Sequence, residues 1–131
     1  MRTQMGKILI IDDDRTDRLL IKKALLKVKS DMQVIELDGG AKAVSTIQSE
    51  RPMATLLDIR MPGMDGFEVL RAIRGDSETK THTVIMVSGS DGTSDKDMAT
   101  KFGADGYLVK PDSFLGYGEL AKTIFDAVYE T

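Results

Sequence analysis

The chain has no cysteine among its 131 residues, so it has neither a disulfide framework nor a thiolate zinc site. No apolar run approaches membrane-spanning length, and no charged n-region with an apolar h-region opens the chain. A cytoplasmic location is therefore the default expectation. A formal net charge of −3 argues against a nucleic-acid-binding face, which needs a basic stripe. Both Gly-x-Gly-x-x-Gly and Gly-x-x-x-x-Gly-Lys are missing, which removes the usual phosphate cradles of nucleotide- and flavin-binding modules. Internal repeats, low-complexity tracts and interdomain linkers are absent too. Prolines number only three, and Pro52, Pro62 and Pro111 each fall at a junction between expected elements.

What is present has the balance of an ordinary globular protein, 30% charged and 41% hydrophobic. Its length suits one domain spanning residues 1–131, with 1–6 a loose lead-in. The organising stretch is Leu56-Leu57-Asp58-Ile59-Arg60-Met61-Pro62-Gly63-Met64-Asp65-Gly66. Met53 to Leu57 is apolar or small throughout, as in a parallel strand covered on both faces. Pro62-Gly63 forces a turn, and Asp65 with Glu68 three residues later resembles a capping box. Phe67, Leu70 and Ile73 then recur at helical spacing. Asp58 thus lies at the carboxyl end of a strand, where open α/β sheets place their chemistry. Taken singly, it reads equally well as a turn residue or helix cap.

From the start of the chain, Lys7 to Ile11 predicts a first strand that runs into Asp12-Asp13-Asp14. Asp14 is an N-cap for a helix with Leu20, Ile21, Ala24, Leu25 and Val28 inward. Val34 to Leu37 is a second, edge-like strand. Gly39-Gly40 leads into a helix holding Ala43, Val44 and Ile47, which ends before Pro52. The helix after Asp65 ends at Gly75 as its C-cap. Thr83 to Val87 is the fourth strand, followed by Ser88-Gly89-Ser90-Asp91-Gly92. Ser94 with Asp97 opens a short helix that Gly103 closes. Tyr107 to Val109 is the fifth strand, ending on Lys110-Pro111. An amphipathic helix from about Tyr117 to Tyr129 carries Leu120, Ile124, Ala127 and Val128 inward.

This alternation predicts an α/β fold, a doubly wound five-stranded parallel sheet with helices on both faces. The flavodoxin-like strand order 2-1-3-4-5 suits it, as a known pattern for such chains rather than a consequence of their spacing. In that order Asp12, Asp13, Asp58, Ser88 and Lys110 all fall on one sheet edge. Three carboxylates converging there repel one another, and burying them unpaired would cost several kcal/mol. A hard divalent cation such as Mg²⁺ relieves this through oxygen ligands. With Lys110 and the Ser88 hydroxyl, such an edge could hold a doubly charged phosphoryl group, with Asp58 as the nucleophile.

Four motifs carry a resemblance: Ile-Ile-Asp-Asp-Asp, Leu-Leu-Asp-Ile-Arg-Met-Pro-Gly-Met-Asp-Gly, Val-Ser-Gly, and Gly-Ala-Asp-Gly-Tyr-Leu-Val-Lys-Pro. Across residues 7 to 129 the chain resembles the response-regulator receiver domains of two-component signalling, and is similar to their stand-alone chemotaxis type. The resemblance implies that Asp58 is the phosphoacceptor, fed by a histidine kinase or histidine phosphotransfer protein. It implies that Mg²⁺ is held by Asp13 directly, by Asp12 mainly through water, by Asp58, and by the main-chain carbonyl of Arg60. Ser88 and Lys110 would bond the phosphoryl oxygens, and Tyr107 would be the aromatic switch residue. Lys110-Pro111 matches a family cis peptide, which only proline makes common. A receiver assists its own phosphotransfer and slow dephosphorylation without being a turnover enzyme. Its output would be contact with a downstream protein target or a fused output domain, not nucleic acid or membrane.

The chain departs from the family at several points. Gly89 replaces the usual alanine, which predicts a more mobile Ser88 to Gly92 loop. His82-Thr83 stands where an apolar-Pro pair is common, and His82 reads as a loop residue rather than a phosphotransfer histidine. Met53 occupies an often acidic position. Asp112 to Gly118 is longer than usual and holds Phe114, Leu115 and Tyr117. On the last helix, Ala121, Phe125 and Tyr129 form either a widening of the core stripe or an exposed apolar strip for docking or a homodimer. Two rival functions remain. Asp12-Asp13-Asp14-Arg15-Thr16 also resembles the Asp-x-Asp-x-Thr motif of haloacid-dehalogenase-like phosphatases, with Asp12 as nucleophile and Asp14 as acid/base. No cap domain or later acidic pair completes that pattern. The other rival is a phosphate sink or relay without output switching.

Overall fold

Alternating apolar runs and amphipathic stretches fold as the periodicity demands. The computed structural model describes residues 4–129. In chain order its elements are β1 (Gln4–Ile11), α1 (Arg15–Val28), β2 (Gln33–Leu37), α2 (Ala43–Glu50) and β3 (Pro52–Leu57). They continue with α3 (Gly66–Gly75), β4 (Val84–Ser88), α4 (Thr93–Lys101), β5 (Gly106–Val109) and α5 (Gly116–Tyr129). The strands form one parallel sheet in the order β2-β1-β3-β4-β5, the expected flavodoxin-like arrangement. Every residue of β3 and β4 is buried, which is why neither strand shows polar alternation. β2 lies at the edge, and Gln33 and Glu36 are exposed there.

The pleat of β1 divides the core. Ile8 and Ile10 join Ile21, Leu25, Ile124 and Phe125 in the layer under α1 and α5. Leu9 and Ile11 join Ile47, Phe67, Leu70 and Ile73 in the layer on the opposite face, under α2, α3 and α4. The register keeps the strand ends level. Ile11 pairs with Leu37 on one side and Leu57 on the other, and Ser88 pairs with Val109. The ladder then runs one residue further. The amide of Asp12 donates to Leu37 O at 3.1 Å, that of Asp58 to Ile11 O at 2.9 Å, and that of Lys110 to Ser88 O at 2.8 Å. The sheet itself therefore brings these residues to a common rim.

Helix starts hold as the sequence indicates. Asp14 caps α1, accepting from the Asp17 amide, and Asp65 with Glu68 makes a full capping box on α3. Gly66 has a packing reason: a Cβ there would overlap the main-chain carbonyl of Asp58. Gly103 takes a positive φ of 91° as α4 ends.

Several expectations need correction. The lead-in of residues 1–6 is shorter than expected, because Gln4 already pairs with Pro52 of β3; Met1 to Thr3 lie outside the described residues. Val28 is 47% exposed rather than inward, at the last turn of α1. Gly75 is the final helical residue of α3, and Asp76 follows in extended conformation as the C-cap. Asp76 is held there by Gln48 and Thr79. Gly92, not Ser94, is the N-cap of α4, and no side chain caps that end. The Lys110-Pro111 peptide is trans, no cis bond occurring among the described residues. Trans is intrinsically favoured even before proline, by about 0.5–1 kcal/mol.

The Asp112 to Gly118 connection closes into α5 one residue early, at Gly116, leaving Phe114 73% and Leu115 86% exposed. These two side chains wall an open groove with Leu20, Lys23 and Lys27 of α1. The exposed strip on the last helix is not formed. Ala121 and Phe125 are buried in the core, and only Tyr129 is exposed, stacked on the Phe125 ring at 5.8 Å. Phe125→Ala is therefore expected to destabilise the chain by about 3–5 kcal/mol in urea unfolding, with no change in sedimentation. A change of oligomeric state without loss of stability would contradict this placement.

Candidate functional site

At the carboxyl rim of the sheet, Asp12, Asp13 and Asp58 each present a carboxylate oxygen within 4.8 Å of the others. Asp12 and Asp58 are buried, 2% and 6% exposed, whereas Asp13 is exposed. Asp12 is anchored from both ends. Its Oδ1 accepts from the Asp14 amide at 2.9 Å, and its carbonyl accepts from Arg18 Nη1 at 2.6 Å.

Lys110 reaches into this group from the end of β5. Its Nζ lies 2.7 Å from Asp12 Oδ2, 2.8 Å from Asp17 Oδ2 and 3.5 Å from Asp58 Oδ1. One ammonium thus faces three carboxylates, and the imbalance shows in their proton affinities. Burial, with the negative charge of Asp12 beside it, pushes the Asp58 carboxyl up to about 6, and Lys110 offsets this only partly. Asp12 is raised as well, by burial above all, against the pull of Lys110. Burial alone would lower Lys110, but its bonds to Asp12 and Asp17 outweigh that and raise it. Lys110 is therefore a permanent cation here.

The donor set suits a hard divalent cation. It is oxygen-only, two of its carboxylates are buried, and it carries more negative charge than Lys110 neutralises. Asp12, Asp13 and Asp58 are the side chains able to hold such an ion. The structure also places the other expected residues. Ser88 ends β4, 1% exposed, and its Oγ accepts from the Ser90 amide at 3.2 Å. Tyr107, on the neighbouring strand β5, is half-buried, and its hydroxyl donates to the Ser90 carbonyl at 2.7 Å. The loop expected to be mobile thus carries two cross-links at Ser90. Arg60 follows the Asp58 strand end, and its side chain bridges to Asp95 of α4 at 2.8 Å.

His82 sits away from this rim, before β4. Burial and the nearby Arg74 lower it to about 4, and its Nε2 lies 2.8 Å from Thr55 Oγ1. That makes it a neutral packing residue, as the lack of a partner motif suggested. The residue that sequence reasoning missed is Asp17. Its signal was its position, one turn into the helix that leaves the acidic rim.

The response regulator receiver domain family matches residues 8–115. Protein PilH of Pseudomonas aeruginosa is 36% identical over 107 residues, covering 82% of this chain and 87% of that protein. Chemotaxis protein CheY of the same organism is 35% identical over 122 residues, covering 93% and 98%. Among solved structures, the phosphorylated cyanobacterial phytochrome response regulator RcpA superposes with a TM-score of 0.85 at 26% identity, covering 94% of this chain and 93% of that one. The Mn²⁺-bound form of response regulator Rcp1 gives 0.81 at 26%, covering 92% of each. The chain belongs to the response regulator receiver domain family. It is a phospho-signalling domain, similar over most of its length to chemotaxis protein CheY, and not a turnover enzyme. No helix among the described residues is long and apolar enough to cross a membrane.

The raised Asp58 carboxyl has a measurable sign. The folded chain holds that proton up to about pH 6, the unfolded chain only to the usual 3.8. Stability contributed by this group is therefore lost as pH rises through that window, by up to about 3 kcal/mol. In metal-free buffer, Asp58→Asn is expected to stabilise the chain at pH 7, and the gain should vanish near pH 4. Denaturant unfolding across pH checks it; a gain independent of pH would contradict the charge account.

Proposed function

We propose that this receiver accepts a phosphoryl group on Asp58 from the phosphohistidine of a histidine kinase or phosphotransfer protein, and signals by protein contact. The observation that carries the reading is Asp58 itself: a buried carboxylate at a strand end, inside an acidic triad and within 3.5 Å of the half-buried Lys110. In the transfer an Asp58 oxygen attacks phosphorus while the P–N bond breaks, and the imidazole departs as the leaving group. Ser88 donates its hydroxyl to a phosphoryl oxygen, and Lys110 pairs with another.

Asp12, Asp13, Asp58 and the main-chain carbonyl of Arg60 would hold Mg²⁺, which supplies positive charge to the phosphoryl oxygens when bound. The carboxyl of Asp58 must be ionised to attack, and neutralising its acidic neighbours favours that form. Asp14 weighs against the phosphatase alternative, because its Oδ1 caps α1 by accepting from the Asp17 amide rather than serving as an acid/base.

The output rests on the contacts of Ser88 and Tyr107. A phosphoryl group draws the Ser88 hydroxyl toward Asp58, away from the Ser90 amide. Tyr107 is tied to Ser90 as well, so the aromatic ring and the start of α4 follow that loop. The phosphoryl group acts only through its different contacts in the two arrangements.

Incubation with acetyl phosphate and Mg²⁺ is expected to add one phosphoryl group at Asp58, and Asp58→Asn should prevent it. A label on Asp12 that persists in Asp58→Asn would favour the phosphatase. Mg²⁺ should raise the melting temperature by mass action, and Asp13→Ala or Asp58→Ala should remove most of that shift. An equal response in all three proteins would refute the ligand assignment.

A second measurement addresses the switch. With beryllofluoride as phosphoryl mimic, backbone amide shifts should extend from Ser88 and Lys110 to Tyr107 and α5. Ser88→Ala should still accept phosphate but lose the distant shifts. Shifts confined to the rim in the wild type would point to a phosphate sink or relay.

A further inference from the structure

Lys110 is shared among three carboxylates, and only two of them belong to the acidic triad. Its ammonium has three N–H donors. Asp12 and Asp17 take short contacts at 2.7 and 2.8 Å, and Asp58 is left at 3.5 Å. The Lys110 side chain is only 11% exposed, so water offers little competition for those donors. Asp17 is fixed independently of the triad, since its amide donates to Asp14 Oδ1 as α1 begins. Its carboxylate plays no part in that cap and bonds Lys110 instead. A cation seated on Asp12, Asp13 and Asp58 would neutralise those three charges, but not that of Asp17.

We propose that Asp17 is a positioning residue that holds Lys110 back from Asp58 and competes with the phosphoryl group for its ammonium, so weakening the hold of the site on that group. The inference rests on the reading of Asp58 as phosphoacceptor. Its physical content is one of shared charge. A lysine bonded to an additional carboxylate has less attraction left for a phosphoryl oxygen, and the Asp17 charge also repels that oxygen. The same charge acts oppositely on a metal. With Asp17 in place, Lys110 competes less for Asp58, and the cation site stays more negative. Neutralising Asp17 should therefore tighten anion binding and loosen cation binding together. Damage to the start of α1 would weaken both.

The test compares wild type, Asp17→Asn and Asp17→Glu. Mg²⁺ affinity is measured alone by amide NMR titration, and beryllofluoride affinity is measured at saturating Mg²⁺. Asp17→Asn is expected to bind the beryllofluoride mimic about three- to tenfold more tightly and Mg²⁺ more weakly. Asp17→Glu, which keeps the charge, should return both values toward wild type. Mimic binding in Asp17→Asn that is unchanged or weaker would overturn the proposal, as would a parallel loss of both affinities. Failure of the wild type to bind the mimic at all would instead overturn the Asp58 reading, and this inference with it.

Discussion

The constraint on which this structure turns is an excess of negative charge at one rim of the sheet. Asp12 and Asp58 are buried beside each other, with Asp13 and Asp17 at hand, and a single ammonium reaches the group. Unpaired buried carboxylates are among the costliest groups a fold can carry. The chain tolerates them because Lys110 serves three carboxylates at once and because Asp58 can take up a proton near pH 6. The site is therefore unsatisfied by construction, and a ligand that supplies positive charge relieves it.

The rest of the fold serves to hold that arrangement. Level registers across β1, β3, β4 and β5 bring the strand-end residues to the same height. The main-chain bonds just past the strands, from Asp12, Asp58 and Lys110, extend the sheet into the site. Two apolar layers, one under α1 and α5 and the other under α2, α3 and α4, make the sheet rigid enough for these positions to be kept.

Much of this is legible in the sequence. Apolar runs followed at once by Asp12, Asp58, Ser88 and Lys110 identify strand ends, because period-2 burial stops where polar residues begin. Turn and cap residues such as Asp14, Asp65 and Gly103 mark helix boundaries through local chemistry that needs no tertiary information. Local chemistry misplaces the ends at Gly75 and Ser94 by one or two residues, and the other failures depend on contacts across the fold. Val28 is misplaced, and the choice between burial and exposure of Phe125 stays open, because both depend on how α1 and α5 meet and helical spacing does not decide it. The bond of Asp17 to Lys110 joins residues 93 positions apart, and the place of Asp17 in the first turn of α1 puts it near the rim without naming its partner. The trans state of Lys110-Pro111 corrects an expectation taken from family likeness rather than from local physics.

The starts of α3 and α4 flank the site and are built differently. α3 begins on a full capping box, its Gly66 amide bonds Ile59 O at 2.8 Å, and its backbone lies so close to Asp58 that a side chain at Gly66 has no room. α4 begins on Gly92 without a side-chain cap, and short bonds through Ser90 tie the preceding loop to Ser88 and Tyr107. In mechanical terms one abutment is tied into the Asp58 backbone, and the other hangs from a loop held through Ser90. A load applied at Asp58 would meet direct backbone contact on the α3 side and the hydrogen bonds through Ser90 on the α4 side.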